Sequence, residues 1–238
     1  MDCMENLVVS NEALPYILYQ RTEYLKKHPV FAFLSLVGHI KPFYKLSIAL
    51  KSTLFKESLK DVFARDMADE YATLVPHLPP TVSSILDIGC GVAGIDVLLA
   101  RHYIQTPDIY LLDKTAIDPQ VYYGFEQKGS VYNSLAVSVA LLEQNGVASA
   151  KIHTQEATPD NRITLGDSFD LVISLISWGF HYPVETYLAE VYNKLAPGGI
   201  LILDIREGTN GKEVLEKQFG NCTVIYHQGK VVRLLSKK

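Results

Sequence analysis

Cysteine is scarce in this chain: Cys3, Cys90 and Cys222 are the three in 238 residues, and no two have C-x-x-C spacing. That excludes a disulfide framework and a zinc ribbon as the basis of the fold, and it makes a reducing, cytoplasmic setting the expectation. Long hydrophobic runs are missing as well. A stretch such as Val30 to Gly38 is far shorter than the roughly 20 residues a spanning helix needs, so no transmembrane segment is expected. Met1 to Glu5 carry acids where a secretory leader would carry a basic flank, and no apolar stretch with a small-residue cleavage site follows. There is no excess of positive charge. Lysine and arginine total 22 against 26 acids, a net charge of -4, which gives no chain-wide attraction to nucleic acid. What remains is an ordinary globular composition, 48% hydrophobic and 20% charged, long enough for one large domain with a smaller appendage.

Charge is unevenly spread. Residues 21 to 60 hold eight basic residues and two acids, a local +6 that leaves -10 elsewhere. His28-Pro29 and Lys41-Pro42 punctuate this segment, because proline removes a donor and biases its predecessor away from helix, so three short N-terminal helices are expected. Phe43, Leu46, Leu50 and Leu54 recur at helical spacing between lysines, which predicts an amphipathic helix covering a core edge with a solvated basic face. The sharper alternative is a lid or docking surface for an anionic or lipid-like partner. A helix from about Asp66 to Leu78 follows, ended by Pro79-Pro80.

From Ser83 onward, short β-branched runs alternate with helical stretches, the signature of a parallel sheet with crossover helices. Strands are expected at Ser84 to Ile88, Asp108 to Leu112, Lys151 to Gln155, Phe169 to Leu175 and Gly199 to Ile205. Helices are expected near Gly94 to His102, Tyr132 to Gln144, Pro183 to Leu195 and Gly211 to Phe219. Cys222 to Tyr226 and Lys230 to Leu235 flank His227-Gln228-Gly229 and predict an antiparallel hairpin. Residues 1-64 thus form a helical extension and residues 65-238 the main domain.

The strongest chemical signal is Ile85-Leu86-Asp87-Ile88-Gly89-Cys90-Gly91-Val92-Ala93-Gly94, an apolar strand that runs into a glycine-rich turn and then a helix. Glycine is required where a Cβ would block a close ligand and where the backbone must adopt unusual angles. By itself this pattern would serve a nicotinamide dinucleotide equally well, since Asp113 ends the next strand at a spacing that suits a ribose hydroxyl.

The wider context resembles the class I S-adenosylmethionine-dependent methyltransferases, whose first motif is an acid, any residue, then Gly-x-Gly. Asp87, Gly89 and Gly91 match it. The resemblance covers Ser83 to the C-terminus and takes in Asp113, Phe169-Asp170-Leu171-Val172 and Leu195-Ala196-Pro197-Gly198-Gly199. It implies an α/β, Rossmann-like seven-stranded sheet, mostly parallel, with a C-terminal antiparallel hairpin and helices on both faces. One departure is visible, because many members carry a third glycine where this chain has Ala93, with Gly94 one residue later. By the resemblance, Gly89 and Gly91 lie against the methionine part of S-adenosylmethionine, Asp113 accepts from both ribose hydroxyls, and Asp87 holds the turn or the amino group. Cys90, Lys114 and Ser174 complete the expected cofactor set. Glu156 is a candidate for the adenine edge, in competition with Gln155 and Asp160.

In an open α/β sheet the ligand crevice lies beyond the carboxyl ends of the strands, which draws attention to Ile176-Ser177-Trp178-Gly179-Phe180-His181-Tyr182-Pro183. Methyl transfer from a sulfonium to a hydroxyl requires positioning of the nucleophile and removal of its proton, and His181 is the natural base, with Tyr182 beside it. Trp178 either packs over the adenine or fills the core. About eighteen residues separate Asp113 from the next helix, and Tyr122 and Tyr123 there suit a substrate lid. No Asn-Pro-Pro-Tyr element ends the fourth strand and no Pro-Cys nucleophile is present, which disfavours amino-group and cytosine C5 chemistry. Ser174 and Ser177 stand where metal-assisted transfer would need acids, so no metal is expected. The leading expectation is metal-free O-methylation of a small-molecule hydroxyl on a sugar or secondary metabolite, with nucleic acid not the expected partner and a homo-oligomer left open. The alternatives are an N-methyltransferase acting on a small amine or on RNA through the basic segment, a nicotinamide-dependent oxidoreductase, and a non-catalytic cofactor-binding subunit.

Overall fold

The computed structural model describes residues 7–21, 23–26, 41–117 and 132–238. The chain begins with α1 (Leu14–Gln20), α2 (Glu23–Lys26), α3 (Lys41–Leu54) and α4 (Lys56–Leu74). It continues through β1 (Ser84–Ile88), α5 (Gly94–His102), β2 (Asp108–Asp113), β3 (Ala116–Ile117), β4 (Tyr132–Asn133), α6 (Leu135–Gln144), β5 (Ile152–Glu156) and β6 (Phe169–Ser174). The last elements are β7 (Ser177–Tyr182), α7 (Glu185–Lys194), β8 (Leu195–Arg206), α8 (Gly211–Phe219), β9 (Thr223–Gln228) and β10 (Val231–Lys237). A seven-stranded sheet runs in the order β5-β2-β1-β6-β8-β10-β9. The first five of these strands are parallel, and β10 inserts antiparallel between β8 and β9. This is the sheet the sequence implied, with its terminal hairpin.

The strands read as near-continuous apolar runs because both faces are covered. Alternate residues serve opposite layers. Ile85, Ile109, Leu171 and Ile202 pack with α4, α5 and α6 on one side, whereas Leu86, Leu112, Val172 and Leu201 pack with α7 and α8 on the other. The N-terminal segment is part of the first layer. Asn145, just past α6, accepts from the Val8 amide at 2.9 Å and donates to the Val8 carbonyl at 2.8 Å, so its side-chain amide pairs with the backbone as a neighbouring strand would.

Four expectations need correction. On α3, Leu50 and Leu54 face outward, 41% and 68% exposed, and the inward positions are Ile48 and Lys51. Lys51 is buried because its ammonium reaches the Tyr24 carbonyl, so one charge of the basic segment works inside the protein. Phe43 and Leu46 side chains, and residues 27–40, lie outside the described residues. Second, α4 starts at Lys56, well before Asp66, because Leu59, Phe63, Met67, Tyr71 and Leu74 continue one buried stripe. The helix therefore runs through residue 64, and Pro76 in the following 3-10 turn, not Pro79, ends it. Third, α6 begins at Leu135, since Tyr132–Asn133 pairs antiparallel with Ala116–Ile117. Fourth, the segment after β6 is not a loop but β7, which lies so close to β8 that a Cβ on Gly179 would stand 2.8 Å from the Asp204 carbonyl oxygen.

One ionic cluster locks the layers. Arg233 of β10 has no exposed surface. Its Nε and Nη2 donate to the two carboxylate oxygens of Asp204, directly opposite on β8, at 2.7 and 2.8 Å. Nη2 also donates to Glu70, and Nη1 to Thr73 Oγ1 at 2.5 Å, both on α4. Burial works against the charge, but Asp204 and then Glu70 outweigh it and hold the guanidinium pKa above its ordinary value. Removing one partner of such a pair strands the others without compensation. Arg233→Leu is expected to cost about 3–5 kcal/mol of unfolding free energy in urea titration; a loss below about 1 kcal/mol would show that the cluster does not hold the layers.

Candidate functional site

The order of strands along the sheet reverses at β1 and β6: the chain builds outward from β1 to β2 and β5, then crosses to β6 and builds the other way. At such a reversal the connections leave on opposite faces and open a crevice beyond the carboxyl ends. A cavity of about 700 Å³ lies there, within the range of roughly 300–1,000 Å³ typical of small-molecule sites. The turn after β1, Asp113 at the end of β2, the segment 157–161 and the segment 175–178 line it from the sheet. Tyr19 of α1 with Phe63 and Met67 of α4 close the opposite side.

Steric constraints explain the glycines. Gly89 has φ +79°, and a Cβ on it would fall 1.8 Å from Ser177 Oγ, so β7 approaches the turn at a distance that excludes a side chain. Gly91 has φ +55°, and a Cβ there would stand 2.8 Å from Gln20 Oε1 of α1. Its amide donates to Asp113 Oδ2 at 2.8 Å, and its carbonyl accepts from Ser138 Oγ of α6 at 2.7 Å. The missing third glycine also has an explanation. Ala93 takes φ 62° and bears the left-handed strain itself, while Gly94 is the residue that has no room, since a Cβ would meet Phe63 at 2.5 Å and the Met67 sulfur at 2.9 Å.

Three acids gather under this turn. Asp113 accepts from Gly91 N, from Lys114 N at 2.7 Å and from Asn133 Nδ2 at 2.9 Å. Burial raises its pKa against the pull of those three donors. An ionised carboxylate has about four acceptor sites, so capacity remains for a ligand. Asp87 is buried at the end of β1, and among the described residues its Oδ1 has no hydrogen-bond partner. Burial first, then the neighbouring Asp96 and Asp113, push its pKa well above the usual carboxylate range. The Cys90 thiol is pushed up by burial and by the same three acids, which keeps it protonated; its sulfur lies 3.9 Å from Asp113 Oδ2.

Asp87, Gly89, Cys90, Gly91, Asp113, Lys114, Trp178, His181 and Tyr182, singled out from the sequence, all border this one cavity. Trp178 nevertheless has 1% of its surface exposed; its indole N–H donates to the Val184 carbonyl at 2.9 Å and its ring meets Tyr187 edge-on, which makes it a core residue. Ser174 lies beneath the floor, donating to the Ile88 carbonyl at 2.6 Å and accepting from Trp178 N at 3.0 Å. Glu156 is exposed outside the cavity and accepts from Thr115 N at 2.8 Å; Ala157, Thr158 and Pro159, just after it, line the wall instead. Tyr122 and Tyr123 lie outside the described residues. Sequence reading missed Asn133 and Ser138, which brace Asp113 and Gly91, and Gln20, whose Nε2 is 3.5 Å from Asn133 Oδ1. It also missed Asp96, whose one signal was an acid at an apolar position of α5.

The glycine argument can be tested by a double-mutant cycle. Gly89→Ala is expected to destabilise by about 2–4 kcal/mol, the sum of left-handed strain and overpacking. Adding Ser177→Gly should recover the packing part in thermal denaturation and leave about 1–2 kcal/mol. Equal losses in the single and double variants would remove Ser177 as the reason for the glycine.

No protein-family profile matches the chain. It is 26% identical over 200 residues to the ribosomal RNA large subunit methyltransferase G of Shewanella denitrificans, an alignment covering 83% of this chain and 47% of the relative. The chain thus spans about half the length of that curated relative. Among solved structures it resembles a T. thermophilus 16S rRNA N2 G1207 methyltransferase in complex with AdoMet and guanosine, at 17% identity and TM-score 0.50 over 70% of this chain and 41% of that one. It also resembles a candidate O-methyltransferase from Nostoc punctiforme, at 16% identity and TM-score 0.51 over 72% and 57%. These two likenesses show the fold. The reversal at β1 and β6 and the antiparallel β10 inserted between β8 and β9 give the chain the sheet that the sequence resemblance to class I S-adenosylmethionine-dependent methyltransferases implied, a fold it shares with these methyltransferase structures.

Proposed function

We propose that this chain transfers the methyl group of S-adenosylmethionine to a hydroxyl oxygen of a small molecule, with His181 as general base. The observation that carries this reading is that His181, at the end of β7, borders the same cavity as the glycine turn and Asp113. The residues present fit the cofactor. Asp113 has acceptor capacity for ribose hydroxyls, the unpaired Oδ1 of Asp87 suits an ammonium group, and Gly89 and Gly91 leave the backbone bare. The segment Ala157 to Pro159 replaces Glu156 as the wall for the adenine. When bound, the cofactor supplies an electrophilic methyl on a sulfonium. His181 would then accept the acceptor's hydroxyl proton as the new oxygen–carbon bond forms, and Tyr182, 44% exposed at the cavity edge, would orient the acceptor.

The N-terminal helices favour a small acceptor. Tyr19, Phe63 and Met67 form an apolar wall facing the sheet, so the cavity lies between two layers of the protein. A second reading, N-methylation of a base in RNA, draws support from the rRNA methyltransferase relative. The two differ in salt dependence, because phosphate contacts release counterions and weaken steeply as salt rises.

Asp113→Ala should weaken binding of S-adenosylmethionine at least tenfold in calorimetric titration, since charge-assisted hydrogen bonds contribute about 1.5–3 kcal/mol each. His181→Ala should bind the cofactor within about threefold of the parent and slow methylation of a hydroxyl acceptor by about 10²–10⁴. Normal turnover by His181→Ala would overturn the assignment of the base. Tight, strongly salt-dependent binding of RNA with no methylation of hydroxyl acceptors would replace the small-molecule reading by the RNA one.

A further inference from the structure

The residues that open α5, Gly94-Ile95-Asp96-Val97-Leu98, are all buried. An acid in the first helical turn ordinarily turns to the free amides there or to water. Asp96 has no exposed surface, no side chain caps the helix, and neither of its carboxylate oxygens has a hydrogen-bond partner among the described residues. The other orphaned carboxylate oxygen of the site belongs to Asp87, 3% exposed, which reaches the cavity from the end of β1. The two side chains act on each other directly, and buried carboxyl groups can be neighbours at tolerable cost when a proton lies between them, as in paired-carboxylate sites.

We propose that Asp96 is the proton-holding partner of Asp87, and that the pair releases one proton to solvent when the ammonium group of S-adenosylmethionine docks on Asp87. This rests on the cofactor reading above. In the free protein the pair holds one proton and so carries a single negative charge among apolar neighbours, where full ionisation would place two. In the complex the O–H bond of Asp87 breaks, its proton goes to water, and the carboxylate faces the ammonium while Asp96 stays behind it. Asp96 touches no reacting atom; it acts through Asp87 as a positioning residue.

The surroundings agree. Burial lifts Asp96 to about 7, the nearness of the Asp87 carboxyl opposing that rise, and Asp87 itself stands well above its ordinary value. Asp113 at the end of β2 adds like charge, and the Cys90 thiol in the turn is neutral. From α4, Phe63 and Met67 press on Gly94, and Glu70 reaches the cavity already paired with Arg233. Arg21 and Glu23 beside α1, and Lys114 after β2, border the same cavity, Arg21 lying 3.7 Å from Asp66.

The test is calorimetric titration with S-adenosylhomocysteine, which carries the ammonium without the sulfonium, in buffers of different ionisation enthalpy. Near pH 7.5 about one proton should be released per ligand bound, and affinity should rise about tenfold between pH 7 and pH 8. Methylthioadenosine, which lacks the amino-acid end, should release none. Asp96→Asn offers Asp87 an amide donor in place of a shared proton; it should retain binding, release well under half a proton, and reduce the pH effect below about threefold. Binding of S-adenosylhomocysteine by the parent protein without proton release overturns the proposal, as does release by Asp96→Asn equal to the parent's. If the variant fails to fold, the parent's release, compared with methylthioadenosine, still decides. Absence of any binding by the parent would instead sink the cofactor reading.

Discussion

A guanidinium with no access to water fixes the distance between the two walls of the cavity. Arg233 lies on the strand inserted antiparallel into an otherwise parallel sheet, with Asp204 as its cross-strand neighbour. Desolvating such a charge is costly unless every donor finds an acceptor. Glu70 and Thr73 supply two further acceptors, so four of the five N–H groups are paired and α4 is tied to the sheet. Asp204 Oδ2 also accepts from the backbone amide of Ile176 at 3.2 Å, so the same carboxylate holds the segment between β6 and β7. Glu70 and Ile176 both border the cavity. The width of the site thus follows from the geometry of one buried ion cluster at the sheet's far half.

That segment between β6 and β7 carries strain. Ile176, a β-branched residue, has φ 51°, a conformation that side chains of its kind rarely adopt. It persists because the hydrogen bonds on both sides overdetermine it: Ile176 N to Asp204, and Trp178 N to the hydroxyl of Ser174. The consequence is that Ser177 is pressed toward Gly89 and His181 is carried to the cavity on an extended strand instead of a loop. A side chain on an extended strand backed by the core is held more rigidly than one on a free connection, which suits the role of base proposed for His181.

Much of this was legible in the sequence, for identifiable reasons. Strands buried on both faces announce themselves as apolar runs, and Gly89 and Gly91 were legible because a turn that admits no Cβ permits no other residue. Asp87 and Asp113 could be found because they sit at fixed offsets from strand ends. What could not be read was set by tertiary partners. Nothing local to Lys51 shows that its ammonium will satisfy the carbonyl of Tyr24, so the inward face of α3 was read from its leucines and came out rotated. Ser174 sat in the right place by spacing, but its hydroxyl is engaged by Ile88 and Trp178. Glu156 misses the cavity although Ala157, the next residue, lines it, and only the direction of the chain after β5 decides between them.

The charge of the turn resolves the ambiguity that its glycines leave open. A glycine turn leading into a helix N-terminus is the ordinary place for a phosphate, since bare amides and the helix dipole both favour an anion there. In this chain the first turn of α5 carries the buried Asp96, whose carboxyl acts on that of Asp87, and Asp113 already occupies the Gly91 amide. A pyrophosphate brought to that place would meet carboxyl groups where a dinucleotide fold presents free N–H groups. A ligand with a cationic end meets the opposite situation, because the orphaned Oδ1 of Asp87 gains a partner as it enters. The shape of the turn is common to both classes of cofactor, and the acids behind it select between them by the sign of the charge they can neutralise.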